Sequence, residues 1–307
     1  MNVNKWVVVV MIISSALGVK AQRTEDVLKQ YFLEVRSGKY PAIPKQLSSQ
    51  ENAKTTLTNL SQYLADSSSS IRSKALTITQ LAGTRVHQQS LRETAVKFLL
   101  AGCKDHDSGN AGLAISYLTT FEKQDFSAPA KDSLRILFKH KPAHFEELLK
   151  LIGYVGLVDL KEEIRAYTQP GNLQKVRWSA LVSLVRMGDA AAGNDMMTRV
   201  RKLPVNDDII YSIFPDLVFS RYPDAFRYMV DVLQRNTTDC LSADAEREIA
   251  ILCGYRVMEQ LAPVIEGYPL KLDESGDLKV KDYAAALQNV RAWLLQHKDF
   301  KIRDDKY

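Results

Sequence analysis

Asn172-Leu173-Gln174-Lys175-Val176-Arg177-Trp178-Ser179-Ala180-Leu181, running on to Leu184, Gly188 and Asp189, carries the strongest structural signal in this chain. A β-branched residue, an arginine and an Ala-Leu pair stand at a spacing that puts Val176, Ala180 and Leu184 on one face of a helix. The small Ala180 permits a neighbouring helix to approach closely. The same order recurs in Ser69-Ser70-Ile71-Arg72-Ser73-Lys74-Ala75-Leu76. Two occurrences of one helical pattern in one chain point to a repeat.

Working outward, helix pairs are predicted to open near Ser69, Ser108, Ala143, Asn172, Asn206 and Ser242, at intervals of 39, 35, 29, 34 and 36 residues. A period of this size marks a helical solenoid, in which no pair buries its apolar stripe alone and each stacks on its neighbours. The breaks carry turn chemistry at Gly83-Thr84, Asp105 to Asn110, Lys141-Pro142, Pro170-Gly171-Asn172, Pro204 to Asp207 and Asn236 to Asp239. Only 14 Gly and 10 Pro in 307 residues argue for helices over a turn-rich β fold. Before the repeats, residues 22–68 read as an N-terminal helical segment, with Val27, Leu28, Tyr31, Phe32 and Val35 on one face, then Leu57, Leu60, Tyr63 and Leu64 on the next. After them, residues 267–307 read as a short hairpin, Leu270 to Leu272 against Leu278 to Val280, followed by a capping helix bearing Tyr283, Leu287, Val290, Trp293 and Leu294.

The Val-Arg and Ala-Leu order of the two repeats resembles the core of HEAT repeats. The run from Leu151 through Gly153 and Gly156 to Asp159 looks like that family's inter-helix turn. The resemblance covers residues 69–266. It implies an all-α chain wound as a right-handed α-α superhelix, with a scaffold or binding role and no active site. It also implies that Arg72 and Arg177 take part in packing between repeats, against the alternative of guanidinium groups facing a ligand.

The first 21 residues differ from the rest. Lys5 precedes an unbroken apolar run from Trp6 to Ile13, and Val19 and Ala21 stand at the −3 and −1 places of a small-x-small cleavage site. This is the pattern of a signal peptide, which places the protein outside the cytoplasm, in the periplasm or at the cell surface. The 14 residues from Trp6 to Val19 fall short of the ~20 a spanning helix needs, so no membrane span is expected after cleavage. Loss of Lys5 and Lys20 leaves 39 basic against 36 acidic residues, too mild a balance for nucleic acid as partner. Of three cysteines, Cys240 and Cys253 are candidates for a disulfide. They are predicted near the two ends of one helix, ~20 Å apart, and can pair only if Cys240 folds back in the loop before it.

No motif names a reaction: glycine-rich phosphate loops, dinucleotide fingerprints and nucleophile elbows do not occur. His140 and His144 have a chelating spacing but straddle Pro142, and Asp105-His106-Asp107 reads as a solvated loop. Asp273 to Asp277 resembles the head of a calcium loop, yet its twelfth place is Ala284. No cofactor or metal is therefore expected. Binding candidates are Arg177, Trp178, Tyr211, Arg221, Tyr222 and Arg227, since aromatic and Arg side chains anchor interfaces. Packing is the competing account of the aromatics. Phe214-Pro215-Asp216 and Tyr222-Pro223-Asp224 match one another, the second fitting a helix start. The expected function is a non-enzymatic envelope scaffold holding another protein along a concave face. The alternatives are an envelope hydrolase with a site in the groove and a protein that binds glycan or peptidoglycan.

Overall fold

A computed structural model of the chain describes residues 24–242, 249–303 and 307. The predicted signal peptide, residues 1–21, lies outside the described residues. The fold is all-α, and the chain divides into two compact units, Met1–Val155 and Gly156–Tyr307. Among the described residues no helix is long and apolar enough to cross a membrane.

The first unit contains α1 (residues 24–36), α2 (Ala53–Leu64), α3 (Ser69–Thr84), α4 (Gln89–Gly102), α5 (Ser108–Leu118), α6 (Ala128–His140) and α7 (Phe145–Val155). From α2 onward, α2 meets α3 and α4, α3 meets α4 and α5, α4 meets α5 and α6, and α7 meets α5 and α6. That is the neighbour pattern of stacked helix pairs. The stripes read in the sequence face this stack, with Ile71, Ala75 and Leu76 fully buried on α3. On the preceding pair, Phe32 stacks on Tyr63 at 3.8 Å.

The second unit contains α8 (Lys161–Ala166), α9 (Gln174–Arg186), α10 (Ala190–Val200), α11 (Asp207–Ser220), α12 (Pro223–Gln234), α13 (Gly254–Leu261) and α14 (Tyr283–Gln296). Here α9 packs on α11, α11 on α13, and α12 on α14. Gly188 and Asp189 show how tightly such pairs are joined. Gly188 takes φ +80°, and its N–H donates to the Val185 carbonyl while that of Asp189 donates to Leu184, which closes α9. The Asp189 carboxylate then accepts the Ala192 N–H at 2.9 Å and opens α10.

The break at Gly83-Thr84 falls where α3 ends, at Thr84. Gly83 is there because a Cβ would lie 2.4 Å from the Ala95 methyl, so it lets α3 and α4 touch. One expectation here needs correction, the helix pair near Ser242. Among the described residues, which exclude 243–248, no helix opens near Ser242. Instead β1 (Cys240–Leu241) pairs antiparallel with β2 (Ala250–Ile251), and the next helix begins at Gly254. Pro223 opens α12, as its motif predicts, and Pro215 sits inside α11. The C-terminal hairpin is present: Leu272 bridges Leu278 antiparallel, the Lys279 N–H donates to the Lys271 carbonyl, and Asp273 ties the turn by accepting the Ser275 and Asp277 N–H groups.

Candidate functional site

The arginine that recurs in the repeat pattern is a fastener in the first unit. Arg72 uses all five of its N–H groups: Nε and one terminal nitrogen clamp the Asp105 carboxylate at 2.7 Å, the other terminal nitrogen donates to the Asp66 and Ser67 carbonyls, and one N–H remains for His106 Nε2. Asp105 is therefore not in a solvated loop; it is buried, and Arg72 lowers its carboxyl below the usual range. Asp107 caps α5 through the Asn110 N–H. A cleft of about 320 Å³ opens beside this pair, lined on its apolar side by Leu64, Leu76 and Phe98. Its polar base has no Arg72 donor left to offer a ligand. Arg92 repeats the clamp on Asp125, again 33 residues ahead. His140 ends α6, and His144 takes a left-handed backbone with its Nε2 3.1 Å from the Ser108 carbonyl.

The six binding candidates all lie in the second unit, and the structure does not gather them into one groove. Trp178 donates its indole N–H to Asp216 at 2.6 Å, joining α9 to α11. Arg177 beside it has a buried Nε with no hydrogen bond among the described residues. Tyr222 packs its ring against Gly193, where a Cβ would come within 2.6 Å, and donates its hydroxyl to Asn194. Arg221 closes α11 in a left-handed conformation, and Arg227 is exposed, 3.4 Å from Asp224. Tyr211 stands ten residues before Arg221 on one helix, ~15 Å away along its axis. Packing between repeats accounts for Trp178 and Tyr222, and Tyr211 is left in a different setting.

That setting is built by residues which the sequence reading missed. The Asp207 carboxylate accepts the Leu241 N–H at 2.6 Å and the Arg256 Nε at 3.2 Å, and the Leu241 carbonyl accepts from Arg256 at 3.0 Å. Asp207, Arg256 and the Leu241 peptide thus close a ring that ties α11, β1 and α13 together. The Arg256 guanidinium lies over one face of the Tyr211 ring, 5.6 Å from its centroid. Arg256 also reaches Glu259 at 3.8 Å, and Glu259 accepts the Tyr283 hydroxyl at 3.1 Å. Burial raises the Glu259 carboxyl above its usual range, with Arg256 opposing the shift. Burial likewise raises the Tyr211 phenol.

A disulfide holds the frame. Cys240 and Cys253 are bonded, with Cα atoms 5.1 Å apart, and both are fully buried. The two-residue ribbon achieves what a helix could not: Cys240 folds back opposite Ile251, which brings it to the residue just before α13. Outside this frame Tyr211 is 50% exposed and Leu241 44% exposed. The Asp207–Tyr211 spacing of four and the Arg256–Glu259 spacing of three were readable in the sequence, but only the ribbon brings them together. Compared with models of protein families, with curated proteins and with solved structures, the chain matches none.

Proposed function

We propose that the protein is an exported helical-repeat scaffold of the HEAT kind that binds another protein of the cell envelope through the Tyr211–Leu241 surface of its second unit. The observation that carries this reading is an aromatic and an aliphatic side chain, each about half exposed, on a frame locked by the Asp207–Arg256 ring and a disulfide. A side chain held in place before binding loses little freedom on binding, and such aromatic anchors dominate interfaces. The disulfide and the N-terminal apolar pattern both support export to an oxidising compartment. A photo-crosslinking residue placed at Tyr211 in the native cells should give one discrete adduct, lost when Leu241→Asp is added. The same residue at Tyr40, which is exposed in the first unit, should not give that adduct. No adduct at Tyr211, or the same adduct from Tyr40, would refute the reading.

Glycan binding is a second reading, favoured by one observation. The Tyr211 ring has Arg256 on one face and is exposed elsewhere, with the Asp207 carboxylate within the same network. Sugars use this combination of a flat apolar face and charged hydrogen-bonding groups. Titration with soluble peptidoglycan fragments, compared between the native chain and Tyr211→Ala, separates the two readings.

A further inference from the structure

Two clefts open side by side on the first unit, along the edge where its even-numbered helices end. The first, of about 320 Å³, lies between the ends of α2 and α4. The second, of about 310 Å³, lies between the ends of α4 and α6. Lys104 and Asp105 line both, so the two clefts meet at the end of α4 and form one trough. Each cleft has an apolar wall, made by Leu64, Leu76 and Phe98 in the first and by Leu137, Pro142 and Ala143 in the second.

The charged groups of the trough are not balanced. Arg72 clamps the Asp105 carboxylate at 2.7 Å, and both side chains of that pair are buried. Asp66 is taken by Arg36 and by the Ser68 N–H at 2.8 Å. Lys104 differs from all of these. It is exposed, it belongs to both clefts, and it pairs with no carboxylate among the described residues. The end of α4 offers it only about half a negative charge, which leaves surplus positive charge between two apolar walls.

We propose that this trough binds an extended segment of a partner protein in which an acidic residue stands two places from an apolar residue on either side. Charge complementarity selects the acid: the trough's own carboxylates are already engaged, and a carboxylate is what Lys104 lacks. Residues i, i+2 and i+4 of an extended chain point to one side and span ~13 Å. Packed helices lie ~8–10 Å apart, so that span carries one apolar side chain into each cleft and sets the acid between them at Lys104. The site is in the first unit and stands whether or not the Tyr211 surface binds anything.

The test is fluorescence anisotropy of the labelled peptide Gly-Leu-Ser-Glu-Ser-Leu-Gly on the full chain at low ionic strength. Saturable binding is expected, weakened about fivefold by Lys104→Ala and weakened by high salt. Lys104→Glu should lose this peptide and gain the one with lysine in place of glutamate, a reversal that a misfolded chain cannot show. Ala101→Phe and Ala143→Phe, at exposed positions on the two clefts, should each fill one cleft and weaken binding at least fivefold with the Tm unchanged. Absence of saturable binding overturns the proposal, as does equal affinity for a peptide with serine in place of both leucines. So does a Lys104→Glu chain that shows no reversal. Binding of dodecanoate that depends on Lys104, without binding of the peptide, would give the trough to a lipid carboxylate and would equally overturn it.

Discussion

Arg72 and Arg177 hold the same place in the same sequence pattern and meet different fates. Thirty-three residues beyond Arg72 stands Asp105, which it clamps; thirty-three beyond Arg177 stands Ile210, and Arg177 makes no such pair among the described residues. The pattern shows where the guanidinium sits, and a residue one repeat away decides what it does. Because both members of the Arg72–Asp105 pair are buried, Arg72→Ala strands a carboxylate in the core. We expect a loss of about 3–5 kcal/mol in urea unfolding. Arg72→Met with Asp105→Leu should recover most of it, since an apolar pair leaves no charge unpaired. Acid should act on the same pair. Arg72 holds the Asp105 pKa below its ordinary value of 3.8, so the stability it confers is complete above that value and is lost as pH falls through the lower, folded-state pKa. Unfolding free energy measured from pH 6 downward should therefore fall less steeply at the acid end in Asp105→Asn than in the native chain.

Elements were legible wherever a 3.6-residue stripe was long, as on α3 and α9, and least so where a short-range signal had two meanings. Gly83 is the plainest case. Glycine near the end of an apolar stripe reads as a helix stop, and α3 does end one residue later, but Gly83 is also a contact between α3 and α4. Two effects compete when it becomes alanine. Helix propensity gains roughly 1 kcal/mol. Forcing a methyl to 2.4 Å from Ala95 meets packed helices on both sides, and overpacking costs about 1–3 kcal/mol. Gly83→Ala should therefore leave Tm unchanged at best and more often lower, whereas an exposed helical glycine would show the reverse.

The ribbon from Cys240 to Ile251 was misread because a helix and a hairpin both allow two cysteines 13 residues apart, and only the hairpin lets them bond. Two-residue strands have little stability of their own. The disulfide is thus what keeps Leu241 against Asp207 and Arg256, and the Tyr211 surface depends on it. Cys240→Ser with Cys253→Ser should cost about 3 kcal/mol for a loop of this size. Hydrogen exchange should rise at residues 237–242 and 249–256 and hold steady in α3 to α5. Protection retained at Leu241 in that variant would mean that the Asp207–Arg256 ring suffices alone.

At the scale of the whole molecule, the repeat rhythm was readable, but the division into two units at Val155 and Gly156 was not. The sequence around Leu151 to Asp159 looks like any other inter-helix turn, and Gly156, at φ +79°, ends α7 as Gly188 ends α9. What distinguishes a repeat stack from a globule is the reach of its fasteners. Arg72 to Asp105, Arg92 to Asp125, Tyr154 to Phe121 and Arg186 to Phe219 each span 33 residues, one repeat and no more. A loss at one fastener is therefore transmitted to adjoining repeats and fades beyond them. The tryptophans make this measurable: Trp178 and Trp293 both belong to the second unit, and Trp6 lies outside the described residues. In a chain with Trp6→Phe, adding Arg72→Ala should move the early part of the far-UV circular dichroism melt to lower urea. The fluorescence transition, which reports the second unit alone, should keep its midpoint. If the two probes shift together, the units fold as one cooperative body and the nearest-neighbour account of this chain fails.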